Sequence, residues 1–220
     1  MKAKTRSVFH VTPLVNLPSI LESGYLLPDS LAKPLTNFGD PEIKAKRKKI
    51  RVAVEPGGNL SEYTPFYFTS QTPMLYQNIE NLKIKQSSLL IIQLDFEPNE
   101  TATIEGSPSI VISAHPLSKK AVIKCATSEN LSKMVNWQVI SSKDPFSIRG
   151  IDLHDWKAYR QAELLIHNGL KIDSPNVKLL VRSDDALAKV DQLIAEAGLD
   201  IYAAIDESLF YHTNLHWLST

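Results

Sequence analysis

The sequence has little of what marks a disulfide-stapled, secreted or membrane-spanning protein. Its single cysteine, Cys125, excludes an intrachain disulfide framework and is compatible with a reducing compartment. No apolar run reaches the length needed to span a bilayer, and the basic start, residues 1–6, is not followed by the apolar stretch of a signal peptide. We therefore expect a cytoplasmic protein that does not associate with a membrane.

The chain also lacks an excess of charge of either sign. Its 24 basic and 24 acidic residues cancel. This balance argues against binding of duplex DNA by bulk attraction, because such domains are usually basic overall, so any contact with a nucleic acid must be local. Four histidines, His154, His167, His212 and His216, show no metal-ligand spacing with cysteine or aspartate, and we expect no metal. The length of 220 residues predicts a single domain over residues 1–220.

Short strands with a few interspersed helices are predicted by the hydrophobic pattern. The expected strands are 7–11, 65–69, 88–95, 110–113, 158–167, 177–182 and 201–205. The expected helices are 16–24 with Asn16 as N-cap, a helix or ordered loop over 41–49, 72–76, 129–135 and 184–198. Loops are expected over 25–39 and 138–157, the second long and therefore of functional interest. The series fits an α+β domain of two packed, mainly antiparallel sheets with short helices.

One carboxylate interrupts an apolar run late in the chain. Glu163 follows Ala162 and precedes three aliphatic residues, Leu164 to Ile166. Alternation along a strand exposes every second side chain, so the pattern alone favours an ordinary surface residue. The alternative is a functional acid, fixed and poorly solvated among apolar neighbours.

A basic run lies before the turn Pro56-Gly57-Gly58. Its cations are Lys44, Lys46, Arg47, Lys48, Lys49 and Arg51. Composition alone favours a solvated face. The functional alternative is binding of phosphate groups, which ammonium and guanidinium both attract and which arginine holds in bidentate fashion.

Six motifs follow one another in an order that resembles a known family. They are FHVT at 9–12, KAKRKKIRVAVEPGG at 44–58, EYTPFYF at 62–68, TPMLY at 72–76, His115, and YRQAE at 159–163. The chain resembles the DarT-type ADP-ribosyltransferases, toxins that use NAD to modify bases of single-stranded DNA, over roughly residues 8–167. The departures are mild: Val11 stands for isoleucine, Thr64 for valine and Thr72 for serine.

The resemblance implies a role for particular residues. The catalytic set would be Glu163, Arg47 and His115. The NAD-binding set would be His10, Val11, Thr12, Ser19, Leu27, Arg47 and Tyr67. The DNA-binding set would be Lys48, Lys49, Met74, Leu75 and Tyr76, with an exposed apolar side chain wedged between bases. A fixed, desolvated carboxylate suits this chemistry, because positive charge builds on the ribose as nicotinamide leaves.

The function implied by the resemblance is transfer of ADP-ribose from NAD to a base of single-stranded DNA, with thymine as the expected base. The protein would be the toxin of a toxin-antitoxin pair, and its partner a macrodomain protein that removes ADP-ribose. Alternatives are the same chemistry on RNA or on another base, and an NAD-dependent tRNA 2′-phosphotransferase, none of whose motifs match. A non-catalytic single-strand-binding module remains a further alternative, although it leaves Glu163 without a role.

Overall fold

The structure is a computed structural model that describes residues 5–81 and 83–211. Within these residues the chain forms eleven strands and seven α-helices. The strands are β1 Arg6–Pro13, β2 Tyr25–Leu26, β3 Tyr63–Tyr67, β4 Leu89–Phe96, β5 Thr103–Ile104, β6 Ser107–Ile112, β7 Ile123–Cys125, β8 Glu163–His167, β9 Leu170–Lys171, β10 Val177–Val181 and β11 Tyr202–Ile205. The helices are α1 Leu17–Ser23, α2 Pro41–Arg47, α3 Pro73–Asn81, α4 Ser128–Met134, α5 Trp137–Ser141, α6 Leu153–Tyr159 and α7 Asp184–Glu196.

The main sheet has two halves that meet at one point. Its strand order is β11-β10-β4-β1-β3-β8-β6-β5, with β7 also paired to β6. All pairs are antiparallel except β10 with β11. Strands β1 and β3 share a single residue pair, Phe9 opposite Tyr67, whereas β1 pairs with β4 along its whole length. The α+β class is thus confirmed, and the two expected sheets are halves of one continuous sheet that diverge at this pair.

Both halves contribute to a common hydrophobic core. Strand β4, LLIIQLDF, is buried at six of its eight positions, as its apolar run predicts. Val8 and Ile92 of one half lie in the same cluster as Phe66 and Leu164 of the other. Helix α7 covers this cluster with Val190 and Ile194, which are buried on its inner face. Because this core fills the space between the half-sheets, the gap between them opens at the end of β3 and the start of β8.

The region from residue 138 to residue 162 differs from its prediction. The expected irregular loop over 138–157 contains the end of α5, a short 3-10 turn and most of α6. The expected strand over 158–167 begins only at Glu163. Local capping explains both differences: Asn136 accepts a hydrogen bond from the Val139 amide at the start of α5, and Asp152 accepts one from the Asp155 amide at the start of α6.

Several smaller differences concern short elements. The expected loop 25–39 contributes Tyr25–Leu26 to a two-stranded sheet with β9, and α3 continues to Asn81 rather than ending at residue 76. Strands β5, β7 and β9 have two or three residues each, too few for a periodic signal. Two of the histidines considered as ligands, His212 and His216, lie outside the described residues.

We predict that Gly169→Ala costs at least about 2 kcal/mol of unfolding free energy, as strained φ values do when neighbouring backbone fixes them. Gly169 has φ +105°, and a Cβ built there lies 2.8 Å from the Leu26 carbonyl oxygen, which belongs to the β2–β9 pair. The matched control is Gly198→Ala, where φ is +67° and no atom lies within 4 Å of the added Cβ. It should cost about 1 kcal/mol. Urea unfolding measures both, and equal costs would contradict the steric argument.

Candidate functional site

The strand register brings the expected site residues together at the point where the half-sheets diverge. Tyr67, the last residue of β3, lies opposite Phe9 of β1 on one side and Glu163, the first residue of β8, on the other. Glu163 in turn lies opposite Ile112 at the end of β6. Tyr67 and Glu163 therefore share one row across four strands, and His10 is the residue after Phe9 along β1, so all three lie at the edge of the pairing between the two half-sheets.

A cavity of about 360 Å³ opens at this edge. Ligand sites typically have such volumes. Its walls come from β1, α1, the segment 25–40, α2 and the ends of β3 and β8. Every residue expected to bind NAD or take part in catalysis lines it: His10, Val11, Thr12, Ser19, Leu27, Arg47, Tyr67, His115 and Glu163. The structure thus gathers residues separated by up to 153 positions in the sequence.

Glu163 and Arg47 form a buried ion pair at the base of the cavity. Arg47 Nη1 donates hydrogen bonds to both carboxylate oxygens of Glu163, at 3.0 and 2.8 Å. The Glu163 side chain is 1% exposed and that of Arg47 is 12% exposed, so Glu163 is not the surface residue favoured by strand alternation. Arg47 Nη2 is buried and has no hydrogen-bond partner among the described residues. This orphaned donor requires a partner, and a ligand with oxygen acceptors fits it.

The ion pair controls the charge states around it. Burial acts to lower the pKa of Arg47, but the charge and hydrogen bonds of Glu163 outweigh burial, and the pKa lies above its ordinary value. Arg47 is therefore a permanent cation and unsuited to act as a base. Burial and the negative charge of Glu163 both raise the pKa of Tyr67, which keeps its phenol protonated. Tyr67 Oη lies 3.7 Å from Met74 Sδ at the cavity wall.

Two neutral histidines present opposite hydrogen-bonding groups. Burial lowers the pKa of His10 and that of His115. His10 Nδ1 lies 2.8 Å from the Pro65 carbonyl oxygen, so Nδ1 carries the proton and Nε2 is an acceptor. His115 Nδ1 accepts from the Leu117 amide at 3.3 Å, which assigns the proton to Nε2 and makes it a donor. The cavity thus has one imidazole acceptor from β1 and one imidazole donor from the segment after β6.

Asn16 is a site residue that the sequence did not indicate. It was predicted as an N-cap, but its side chain makes no capping hydrogen bond to α1. Instead, its buried amide pairs with the Thr36 backbone in both directions at 2.9 Å and donates to Thr12 Oγ1 at 3.1 Å. Lys44 holds the same segment through Asp29 at 2.7 Å and Asn37 at 3.0 Å. These contacts fix residues 27–37 as the outer wall of the cavity.

The residues expected to contact DNA fall into two groups. Lys48 and Lys49 are exposed just beyond α2, and Met74 lines the cavity. Leu75 and Tyr76, by contrast, are buried in a core cluster that contains Trp156 and Phe210, and Tyr76 packs edge-on against Tyr211. A wedge between bases needs an exposed side chain, so this part of the prediction is wrong. The cause is the helical period of α3, which turns positions 75 and 76 inward when 74 faces the cavity.

A second, more open groove adjoins the cavity. Its volume is about 1300 Å³, and the two spaces share Phe38, Gly39, Asp40, Ile43, Met74, His115 and Gln161. The cations Lys119, Lys120 and Lys157, the acids Glu42 and Asp155, and the amides Asn37, Gln77, Asn78 and Asn81 line much of the remainder, and Lys120 is ion-paired with Asp155. The amide donors and acceptors suit a strand that carries polar heterocycles, and Lys119 and Lys157 are placed to meet its phosphates.

Metal-binding clusters and membrane-spanning helices are both absent from the described part of the chain. No group of three or more His, Cys, Asp or Glu residues there is placed to hold a metal ion. Among the same residues, no helix is long and apolar enough to cross a membrane.

Known proteins resemble this chain in sequence and in structure. A family model described as ssDNA thymidine ADP-ribosyltransferase, DarT, matches residues 9–211. A DNA ADP-ribosyl transferase of Thermus aquaticus is 44% identical over 70 residues, which are 31% of this chain and 32% of that protein. The chain thus spans about a third of that relative's length in the match.

Solved structures agree with the observed fold. DarT of Thermus sp. 2.9 in complex with ADP-ribosylated ssDNA has a TM-score of 0.80 and 21% identity, and the match covers 96% of this chain and 100% of that chain. The same protein in complex with NAD+ has a TM-score of 0.78 and 20% identity, with the same coverage. At this level of identity the likeness shows a shared fold.

We predict strong coupling between Arg47 and Glu163 in folding stability. Glu163→Gln and Arg47→Met should each cost about 3 kcal/mol, because each leaves a buried group without its partner. The double variant should cost clearly less than the sum of the two, as urea unfolding of all four proteins would show. The matched control is the exposed pair Glu129 and Lys133, whose side chains are 64% and 69% exposed and should show no measurable coupling. Additive costs at Arg47 and Glu163 would contradict a desolvated pair.

Proposed function

Because the chain belongs to the DarT family of ADP-ribosyltransferases, we propose that it transfers ADP-ribose from NAD to a thymine base of single-stranded DNA. The observation that carries this proposal is the buried Arg47–Glu163 pair, with the orphaned Nη2 of Arg47, at the base of a cavity that joins an open polar groove. We assign the dinucleotide to the cavity and the polynucleotide to the adjoining groove.

The cavity walls match the parts of NAD. Nε2 of neutral His10 accepts from the carboxamide of nicotinamide, and the Thr12 hydroxyl lies beside it on the same strand. The orphaned Arg47 Nη2 donates to an oxygen of the pyrophosphate or of the target base. Tyr67, protonated and at the row of Glu163, packs against the nicotinamide ring. Ser19 and Leu27 line the part of the cavity left for the adenosine end.

NAD supplies an ADP-ribosyl group joined to nicotinamide, which departs with the electron pair of the glycosidic bond. Glu163 holds the ribose hydroxyl with a negative charge already in place, and this stabilises positive charge on the sugar. A ring nitrogen of the base forms the new bond, and its proton is released to solvent. Arg47, a permanent cation, stabilises the base as that proton leaves rather than acting as the base itself. His115 Nε2 donates to a carbonyl oxygen of the base and orients it.

The DNA strand would enter through the groove. Lys119 and Lys157 supply cations along it, whereas Lys120 is paired with Asp155, and Lys48 and Lys49 supply cations just beyond α2. The same geometry accepts an RNA strand, so RNA or another base is the alternative acceptor. A module that only binds strands leaves the desolvated Arg47–Glu163 pair without a purpose. No motif of the tRNA 2′-phosphotransferases matches the sequence.

We further propose the biological setting implied by the family. The chain would act as one ADP-ribosyltransferase domain in the cytoplasm, as the toxin of a toxin-antitoxin pair. Its partner would be a macrodomain protein that removes ADP-ribose from DNA.

We predict that the protein, given NAD and a thymine-containing single-stranded oligonucleotide, releases nicotinamide and increases the oligonucleotide mass by one ADP-ribosyl group. Glu163→Gln should lose this activity by at least about a thousandfold, since a fixed charge at the transition state is worth several kcal/mol. Mass spectrometry of the oligonucleotide and chromatography of nicotinamide measure both products.

Two comparisons make this test specific. Glu129→Gln removes an exposed carboxylate far from the cavity and should retain full activity, and circular dichroism should show both variants folded at the assay temperature. A matched duplex should react far more slowly, because extrusion of a paired base costs a few kcal/mol. Modification of RNA but not DNA would select the alternative acceptor. Near wild-type transfer by folded Glu163→Gln would overturn the catalytic assignment.

We predict that Asn16→Ala raises the KM for NAD by about tenfold with little change in kcat, corresponding to loss of one to two hydrogen bonds that fix the outer wall. Asn130→Ala is the matched control, since its amide also donates to a backbone carbonyl, that of Cys125, but away from the cavity. Initial rates at varied NAD concentration measure the effect. An unchanged KM would contradict the role given to Asn16.

A further inference from the structure

Arg160 is a buried cation that the proposed chemistry does not use. It lies between α6 and β8, three positions before Glu163, and is 4% exposed. Its guanidinium carbon lies 4.9 Å from the centroid of the Trp156 ring. No described carboxylate lies within ion-pair distance of it.

The guanidinium group joins three separate segments of the chain. Nη1 donates to the carbonyl oxygens of Val139, Ile140 and Ser142, at the C-terminal end of α5. Nε donates to the Gln71 carbonyl at 3.0 Å, and Nη2 reaches Thr69 Oγ1 at 3.4 Å. The arginine therefore ties the end of α5 and the loop before α3 to the start of β8.

Burial of the Arg160 charge costs free energy. Burial lowers the pKa of Arg160, which reflects the penalty of holding its charge away from water. Carbonyl dipoles offset this penalty only in part, because no opposite charge is paired with it. Removal of the guanidinium group would leave these carbonyl acceptors without their donor, and an unsatisfied buried group costs about 1–3 kcal/mol. An apolar side chain cannot replace the five hydrogen-bond contacts that the planar guanidinium group makes in fixed directions.

Of the joined segments, the loop 69–71 and the start of β8 lead to residues of the site, whereas the end of α5 lines neither the cavity nor the groove. The loop 69–71 leads into α3, which carries Met74 to the wall shared by cavity and groove. Helix α6, which ends just before Arg160, accepts a hydrogen bond at the Ala158 carbonyl from the His115 amide at 2.8 Å. Strand β8 carries Glu163. By contrast, Arg160 makes no hydrogen bond to β1, α1, the segment 27–37 or α2, which form the dinucleotide side.

We infer that Arg160 is a positioning residue that fixes Met74, His115 and Glu163 relative to one another, and thereby directs ADP-ribose to the base rather than to water. The inference rests on the proposed function. In transfer, the bond from ribose to nicotinamide breaks, a base nitrogen forms the new bond, and that nitrogen loses a proton. In hydrolysis, the same bond breaks, but a water oxygen forms the new bond and loses the proton. Misalignment of the base slows the first outcome and leaves water free to compete.

The test compares Arg160→Lys and Arg160→Met with the wild-type protein. Nicotinamide release and ADP-ribosylated oligonucleotide are measured in the same reaction. Both variants should raise the ratio of hydrolysis to transfer by about tenfold or more, since small misplacements of reacting groups have effects of this size. The KM for NAD should change by less than about twofold, equivalent to less than half a kcal/mol. Lysine should not restore coupling, because an ammonium group cannot reproduce the planar fork.

Three control variants separate positioning from loss of stability. Arg149→Lys changes an exposed arginine in the same part of the chain and should leave the ratio unchanged. Ile104→Ala creates a cavity in the core at β5 and should lower thermal stability without changing the ratio. Asn16→Ala, on the dinucleotide side, should raise the KM for NAD and leave the ratio unchanged.

The possible outcomes separate failure of the proposed function from failure of the role inferred for Arg160. If the wild-type protein modifies no strand and consumes no NAD, the proposed function fails and the inference falls with it. If the wild type is active and folded Arg160→Lys partitions ADP-ribose as the wild type does, only the inference fails. A raised ratio in Ile104→Ala equal to that in Arg160→Lys would also overturn it, because stability would then account for the effect. If Arg160→Met does not fold, Arg160→Lys decides by the same ratio.

Discussion

The buried ion pair between Arg47 and Glu163 is the constraint on which the site depends. Neither charge is stable alone at this depth, because removal from water costs several kcal/mol for each ion. Helix α2 must therefore lie against the start of β8, although 116 residues separate the partners. This contact closes one side of the cavity. It also keeps Arg47 cationic and leaves one of its nitrogens without a partner, so the groups that stabilise the fold here are the groups offered to a ligand.

Divergence of the two half-sheets provides the cavity that the Arg47–Glu163 pair borders. Strands β1 and β3 share only the Phe9–Tyr67 pair, and beyond it the half-sheets separate. The common core fills the interior, so the gap opens at the ends of β3 and β8. Tyr67 and Glu163 lie at the strand ends that border this gap, and His10 lies within β1 beside the shared pair, so paired backbone holds all three in place. Rigid placement of this kind lowers the cost of organising groups around a reacting bond.

Two polar side chains outside the chemistry organise opposite walls. Asn16 holds the outer segment by pairing its amide with the Thr36 backbone, and Arg160 holds the groove side through carbonyls of two segments, the loop before α3 and the end of α5. The outer segment, residues 27–37, is irregular chain, whereas the groove side includes α3, α6 and the start of β8. Directional hydrogen bonds help to fix both walls, because a single arrangement satisfies all the donors. The division into two independently held walls matches a reaction with two substrates.

The amino-acid sequence determined the parts of this protein that depend on neighbouring residues. The apolar run of β4, the capped amphipathic period of α7 and the order of the motifs around His10, Arg47 and Glu163 all indicate local elements and a family. Only the tertiary structure decided that Glu163 is buried, that Leu75 and Tyr76 face the core, and that Asn16 and Arg160 contact distant backbone. Periodicity records which side of an element is apolar, whereas these features depend on which element packs against it. Contacts between segments that are distant in the sequence leave no signal in the local pattern, because they form only when the chain has folded.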